Sequence, residues 1–241
     1  MISAVAQAQD YDLIATLTGD GLKVQNLAFS PGGEVLASGT RDGQISLWSV
    51  EKQTLIRTWS GHDAIVVDFS FDPSGNYLAT ASTDGTAKVW DVATGNLLGT
   101  YYNKQTTYAG KEIGWAVSFA VFSHDSRFLY YGGDGATIFQ VRLGRNDSGS
   151  LYAEKAIYTY PVKEYDRDKM QRITGGELLN SGGAIVCTIG YYTQVIQISD
   201  GAVLKSMYYS LDPLNDVVIG PQHGQVTTWS FNGHATVWNL A

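Results

Sequence analysis

Apolar and polar positions alternate along this chain in short runs broken by turn residues, and the clearest stretch lies between Ala64 and Tyr101. Ala64 to Phe71, Asn76 to Ser82, Thr86 to Asp91 and Asn96 to Tyr101 each follow the period-two pattern of a half-buried strand. Between them stand Asp72-Pro73-Ser74-Gly75, Thr83-Asp84-Gly85 and Ala93-Thr94-Gly95, residues that accept turn dihedrals or hydrogen-bond their own backbone. Four short strands joined this tightly have one economical connection, an antiparallel meander.

The same text stands 42 residues upstream, so that residues 13–59 align with 55–101. Gly19 aligns with Gly61, Phe29 with Phe71, Pro31 with Pro73, Leu36 with Leu78, Asp42-Gly43 with Asp84-Gly85 and Trp48 with Trp90, while Thr16, Thr58 and Thr100 keep step. A period of roughly 40–45 residues holding four strands is the signature of a propeller blade, a unit that buries its two faces only by stacking on neighbours.

Gly61-His62 ahead of the first strand, Ala79-Thr80-Ala81-Ser82-Thr83-Asp84-Gly85 in the middle and Val89-Trp90-Asp91 at the end make residues 53–95 resemble a complete WD repeat. The resemblance implies an all-β fold, a β-propeller of four-stranded antiparallel blades that serves as a protein-binding scaffold. It also implies that His62, a hydroxyl from Ser82 or Thr80, Asp84 and Trp90 form a hydrogen-bonded relay tying the strands of one blade together. A buried imidazole and a buried indole N–H each require a partner.

The other copies decay. Residues 22–59 keep Ser38, Asp42 and Trp48 behind Gly19-Asp20 in place of Gly-His; residues 115–158 keep Gly133-Asp134-Gly135, with Phe139 or Val141 where the Trp would stand. Residues 170–209 keep only the rhythm of strands and turns, and the last segment recovers with Asn232 at the Asp position and Trp238 at the Trp position. Read this way, the chain opens with a lone fourth strand, Asp12 to Thr18, and ends with three. Five blades then fit, closed by pairing of the N-terminal strand with the C-terminal blade, which removes exposed sheet edges. Proteins of the resembling family usually have seven blades, so a partial propeller that completes itself by self-association is the competing arrangement. Residues 12–241 form the propeller and residues 1–11 a flexible N-terminus or the end of a signal peptide, leaving the compartment open between cytoplasmic and secreted or periplasmic.

Composition changes this picture only at its edges. A hydrophobic share of 44% with 27 Gly and 5 Pro suits a turn-rich globular protein. The net charge of −7 disfavours nucleic acid, whose nonspecific binding depends on Lys and Arg displacing counterions. No run approaches the ~18 apolar residues of a membrane span. Cys187, alone in an apolar run, is expected to be a small buried hydrophobe. The four histidines lack metal-ligand spacing, and no nucleophile elbow, Walker loop or dinucleotide fingerprint appears, so no metal, cofactor or catalytic residue is expected. Asp68 and Glu177 are the acids placed to line a central tunnel, where tunnel polarity is the plain reading and the carboxylate pair of a glycosidase the sharper one.

In a propeller of this connectivity the connections from fourth to first strand share a face with the turns between second and third strands. That top face would collect Tyr102, Lys104, Tyr108 and Lys111 from one long connection, and Tyr160, Lys163, Tyr165 and Arg167 from another. Arg41, Tyr191 and Tyr192 come from the turns. Tyrosine beside Lys or Arg is the pairing enriched at binding hot spots, since it offers apolar area with a polar tip at small entropic cost. A protein partner on this face is the leading expectation; a glycan or small ligand held between blades, as in propeller lectins, is the second.

Overall fold

The computed structural model describes residues 16–17, 23–106, 112–145, 151–153, 158–161, 172–179, 181–208, 213–220, 224–230 and 232–240. Every element of regular structure among them is a strand. Sheet 1 is a four-stranded meander of β1 (Val24–Phe29), β2 (Val35–Thr40), β3 (Gln44–Ser49) and β4 (Thr54–Ser60). Sheet 2 repeats it with β5 (Val66–Phe71), β6 (Tyr77–Ser82), β7 (Thr86–Asp91) and β8 (Leu97–Tyr102). Its four strands match the sequence expectation to within two residues at every end.

The connection that follows folds into a small hairpin, β9 (Lys104–Thr106) with β10 (Glu112–Gly114). Sheet 3 contains β11 (Val117–Phe122), β12 (Phe128–Gly133), the long β13 (Thr137–Arg145), β14 (Leu151–Ala153) and β15 (Tyr158–Pro161). The first half of β13 pairs with β15 as a fourth strand, while its far end pairs with β14 and extends as an arm toward β8. Sheet 4 holds β16 (Ile173–Leu178), β17 (Ala184–Ile189), β18 (Tyr192–Gln197) and β19 (Val203–Tyr208). Sheet 5 holds β20 (Leu214–Ile219), β21 (Gln225–Ser230) and β22 (Ala235–Asn239).

One irregularity recurs in all five sheets. The first strand slips register against the second between Val24 and Asn26, Val66 and Asp68, Val117 and Phe119, Ile173 and Gly175, and Leu214 and Asp216. A bulge bends its strand and increases local twist, which turns each sheet into a wedge with its first strand innermost. These first strands lie against one another in succession, β1 on β5, β5 on β11, β11 on β16 and β16 on β20.

The core is therefore a series of slabs between sheets. Ile45 and Leu47 of sheet 1 pack on Phe69, Leu78 and Trp90 of sheet 2. Val89 and Tyr101 of sheet 2 meet Phe122 and Leu129 of sheet 3; Phe119 and Ile138 of sheet 3 meet Ile185 and Ile196 of sheet 4; Val186 and Val195 of sheet 4 meet Val217 and Val226 of sheet 5. Cys187 lies inside the third slab, and burial pushes its thiol up to about 12.

Among the described residues no such slab joins sheet 5 to sheet 1. The closing strand expected over Asp12 to Thr18 lies outside the described residues apart from Thr16 and Leu17, neither of which belongs to a strand. Phe122, buried between sheets 2 and 3, tests the slabs as the source of stability. Phe122→Ala is expected to lower the unfolding free energy by about 3–5 kcal/mol, measured by urea denaturation; a loss under about 1 kcal/mol would show that the slabs do not dominate.

Candidate functional site

The relay of sheet 2 begins at a bulky side chain. Trp90 stands across from Leu78, and its indole N–H donates to Thr80 Oγ1 at 3.0 Å. Thr80 Oγ1 lies 2.7 Å from His62 Nε2, and His62 Nδ1 lies 2.8 Å from Asp84 Oδ2. One direction satisfies every group: indole N–H to hydroxyl oxygen, hydroxyl proton to Nε2, and Nδ1–H to the carboxylate. The bridging hydroxyl is thus that of Thr80; Ser82 Oγ instead accepts the backbone N–H of Asp84 at 3.1 Å. Asp84 is further held by the Thr86 hydroxyl at 2.6 Å and the Asp63 N–H at 3.1 Å. Burial acts to raise this carboxyl, but the bonds from His62, Thr86 and Asp63 outweigh it and keep Asp84 well below the usual carboxylate range.

Reduced versions recur elsewhere. Trp48 Nε1 donates to Ser38 at 2.9 Å in sheet 1, and Trp238 Nε1 to Thr228 at 3.1 Å in sheet 5. In sheet 3, Val141 pairs with Leu129 as Trp90 does with Leu78, so Val141 rather than Phe139 holds the Trp position.

The relay fixes the geometry of one face. Gly43 O, in the turn between β2 and β3, accepts the N–H groups of Gly61 and His62 from the connection after β4. Gly85 O likewise accepts from Asn103, whose buried side-chain amide donates to Ala116 O and Asp134 O at 3.0 Å each. The turn at Asp42-Gly43 requires glycine: φ is +87° and an added Cβ would stand 2.0 Å from His62 O. Connections and turns are in this way bonded into a single surface.

On that surface Arg41 is exposed in its turn. Tyr102 ends β8 with half its area exposed, and Lys104 Nζ stands 5.0 Å over its ring, a cation–π pair at the start of the hairpin. Tyr191 lies in the turn before β18, while Tyr192 is the first residue of β18 and packs on Tyr208 with ring centroids 5.3 Å apart and planes tilted by 55°. Tyr160, placed by the sequence in a connection, sits in β15 opposite Ile138. Tyr108, Lys111, Lys163, Tyr165 and Arg167 lie outside the described residues. Sequence reasoning did not include Arg172, which pairs with Asp134 at 2.5 Å on the same face.

Between the successive first strands lies a cavity of about 730 Å³ with contributions from all five sheets. Its acids are Asp134, already paired with Arg172, and Asp68, Glu177 and Asp216. Asp68 accepts the Ala120 N–H at 3.0 Å and Glu177 the Ile219 N–H at 2.5 Å, so each clasps the first strand of the next sheet. Burial raises Asp68 well above its ordinary value, raises Glu177 to about 7 with added repulsion from Asp216, and raises Asp216 to about 6.

A family model described as "WD domain, G-beta repeat" matches residues 11–49 and 53–91. Those two segments match the WD40 repeat family. Among solved structures, U3-55K superposes with a TM-score of 0.73 at 17% identity, covering 93% of this chain and 63% of that one. A chain of the mitotic checkpoint complex superposes with a TM-score of 0.73 at 16% identity, with the same coverage. The β-propeller domain of Cps50 (Swd1) from Myceliophteria thermophila gives 0.69 at 15%, covering 90% and 66%. This chain thus spans about two thirds of the length of the solved chains it matches. No curated protein matches its sequence.

Two measurements test these arrangements. Thr80→Val keeps the shape of the side chain but leaves the Trp90 N–H and His62 Nε2 without their shared hydroxyl. A loss of about 2–4 kcal/mol is expected, against under about 1 kcal/mol for Ser82→Ala; equal losses would dissolve the relay. For Glu177, a carboxyl raised by folding stabilises most below its ordinary value of 4.5, and that contribution is lost as pH rises toward about 7. Glu177→Gln, whose amide oxygen still accepts from Ile219, is therefore expected to flatten the fall of Tm between about pH 5 and 8 and to gain about 1–2 kcal/mol at the upper end. An unchanged profile would contradict a carboxyl that burial raises.

Proposed function

We propose that this WD40 chain is a non-enzymatic scaffold that binds a protein partner through its top face. WD40 propellers typically act as protein-interaction platforms, and the observation that carries the reading is the bonding of turns and connections into one rigid surface bearing Tyr102, Lys104, Arg41 and Tyr192. A surface already ordered loses little entropy on binding. The tyrosine and lysine pair offers apolar area and charge at one point, as anchors do. Thr80, His62, Asp84 and Trp90 serve this function indirectly by holding the turn that presents Thr83 and the connection beside it.

A second reading rests on the cavity. Its volume falls in the range of small-ligand sites, and its raised carboxyls offer both donors and acceptors near neutral pH to a polyhydroxy or cationic ligand. A thermal-shift screen of glycans and small amines separates this reading from the first.

The test of the first reading is affinity capture followed by titration of the captured partner. Tyr102→Ala and Tyr192→Ala are each expected to weaken binding by about 1–3 kcal/mol with Tm close to that of the parent chain. Full affinity in both variants would remove the top face from consideration.

A further inference from the structure

The recurring bulge gives each sheet the same register, so positions can be compared from sheet to sheet. Val24, Val66, Val117, Ile173 and Leu214 all precede the slip in the first strand. The last four are 0–1% exposed, whereas Val24 is 51% exposed. Phe29, the counterpart of Phe71, Phe122, Leu178 and Ile219, is 63% exposed, and Leu27 beside it is uncovered as well. Farther out on the same face Trp48 is buried, which confines the patch to β1.

The opposite end of the series shows the other half of the joint. Val237 pairs with Thr227 as Leu47 does with Ala37, Val89 with Ala79 and Val195 with Val186. Those three are 0–4% exposed in the face each sheet turns to its successor, while Val237 is 64% exposed and Val218 is 44% exposed. Among the described residues there are therefore four completed joints, an uncovered patch on the leading face of sheet 1 at β1 and an uncovered patch on the trailing face of sheet 5.

We propose that the trailing face of sheet 5 docks on the leading face of sheet 1 of a second copy of this chain, head to tail. The partner surface is argued from the molecule itself, because the two faces are the halves of an interface the chain already forms four times, with valine and phenylalanine at the positions that fill it. The contact is heterologous, so it continues unless the ring closes. Two copies joined this way hold ten sheets about one axis, more than the four to eight blades of closed propellers, and the assembly grows as an open series rather than stopping at a dimer.

This surface is distinct from the top face, so Tyr102→Ala is expected to associate as the parent chain does. Sedimentation velocity over about a hundredfold range of concentration is expected to show a weight-average mass that rises past twice the chain mass without a plateau. Phe29→Glu and Val237→Glu, both at exposed positions and with Tm unchanged, are each expected to be monomeric alone. Mixed, they retain one good face of each kind and are expected to form a 1:1 pair and nothing larger. A parent chain that stays monomeric throughout, as it would if its own ends closed the ring, overturns the proposal. So does a mixture of the two variants that fails to pair.

Discussion

A single constraint organises this protein: a four-stranded sheet with two apolar faces and no helix to cover either must be covered by another sheet. Everything regular in the structure answers it. The bulge near the start of each first strand makes the sheet a wedge, wedges set their inner strands side by side, and the faces thereby meet as slabs of Val, Ile, Leu and aromatic side chains. The cavity between the first strands is a consequence of the wedge shape. So is the flat array of turns above it.

Polar groups within this frame hold it together at two radii. Near the axis, Asp68 and Glu177 reach across to the backbone of the next sheet. Farther out, Trp90, Thr80, His62 and Asp84 tie a third strand, a second strand, a connection and a turn of one sheet into a bonded chain. The first set acts between sheets and the second within one. Their electrostatics differ accordingly, for the inner carboxyls meet few donors and are pushed up, while Asp84 meets four and is held down.

The fold was legible wherever turn chemistry and alternation coincided. Sheet 2 could be delimited almost residue by residue because Asp84-Gly85 and Trp90 stand at fixed distances. Sheet 3 could not: Thr137–Arg145 carries no turn cluster between its halves, so nothing in it announces that they pair with different strands. The same continuity hid the strand character of Tyr160 and the hairpin after Tyr102. Thr80 and Ser82 point the same way from one strand, so pattern alone left both as relay candidates. Register would have separated them, because the indole reaches the hydroxyl two residues beyond its cross-strand partner in sheets 1, 2 and 5 alike. Exposure of Val24 and Val237 was invisible by its nature, for their residue types match those of their buried counterparts.

That last point separates the two kinds of surface on the molecule. The top face is built of residues that differ from repeat to repeat, since turns and connections are free to vary once Gly43, Gly85 and the relay have set their backbone. The end faces are built of residues that the repeat itself prescribes, and their apolar character follows from the blade pattern whether or not a neighbour is present. Variable positions on a rigid frame suit recognition of a foreign partner, whereas prescribed positions suit recognition of another blade. If both surfaces act as proposed, one chain binds sideways and endwise at once, because the slabs between its sheets keep the two surfaces at a fixed angle.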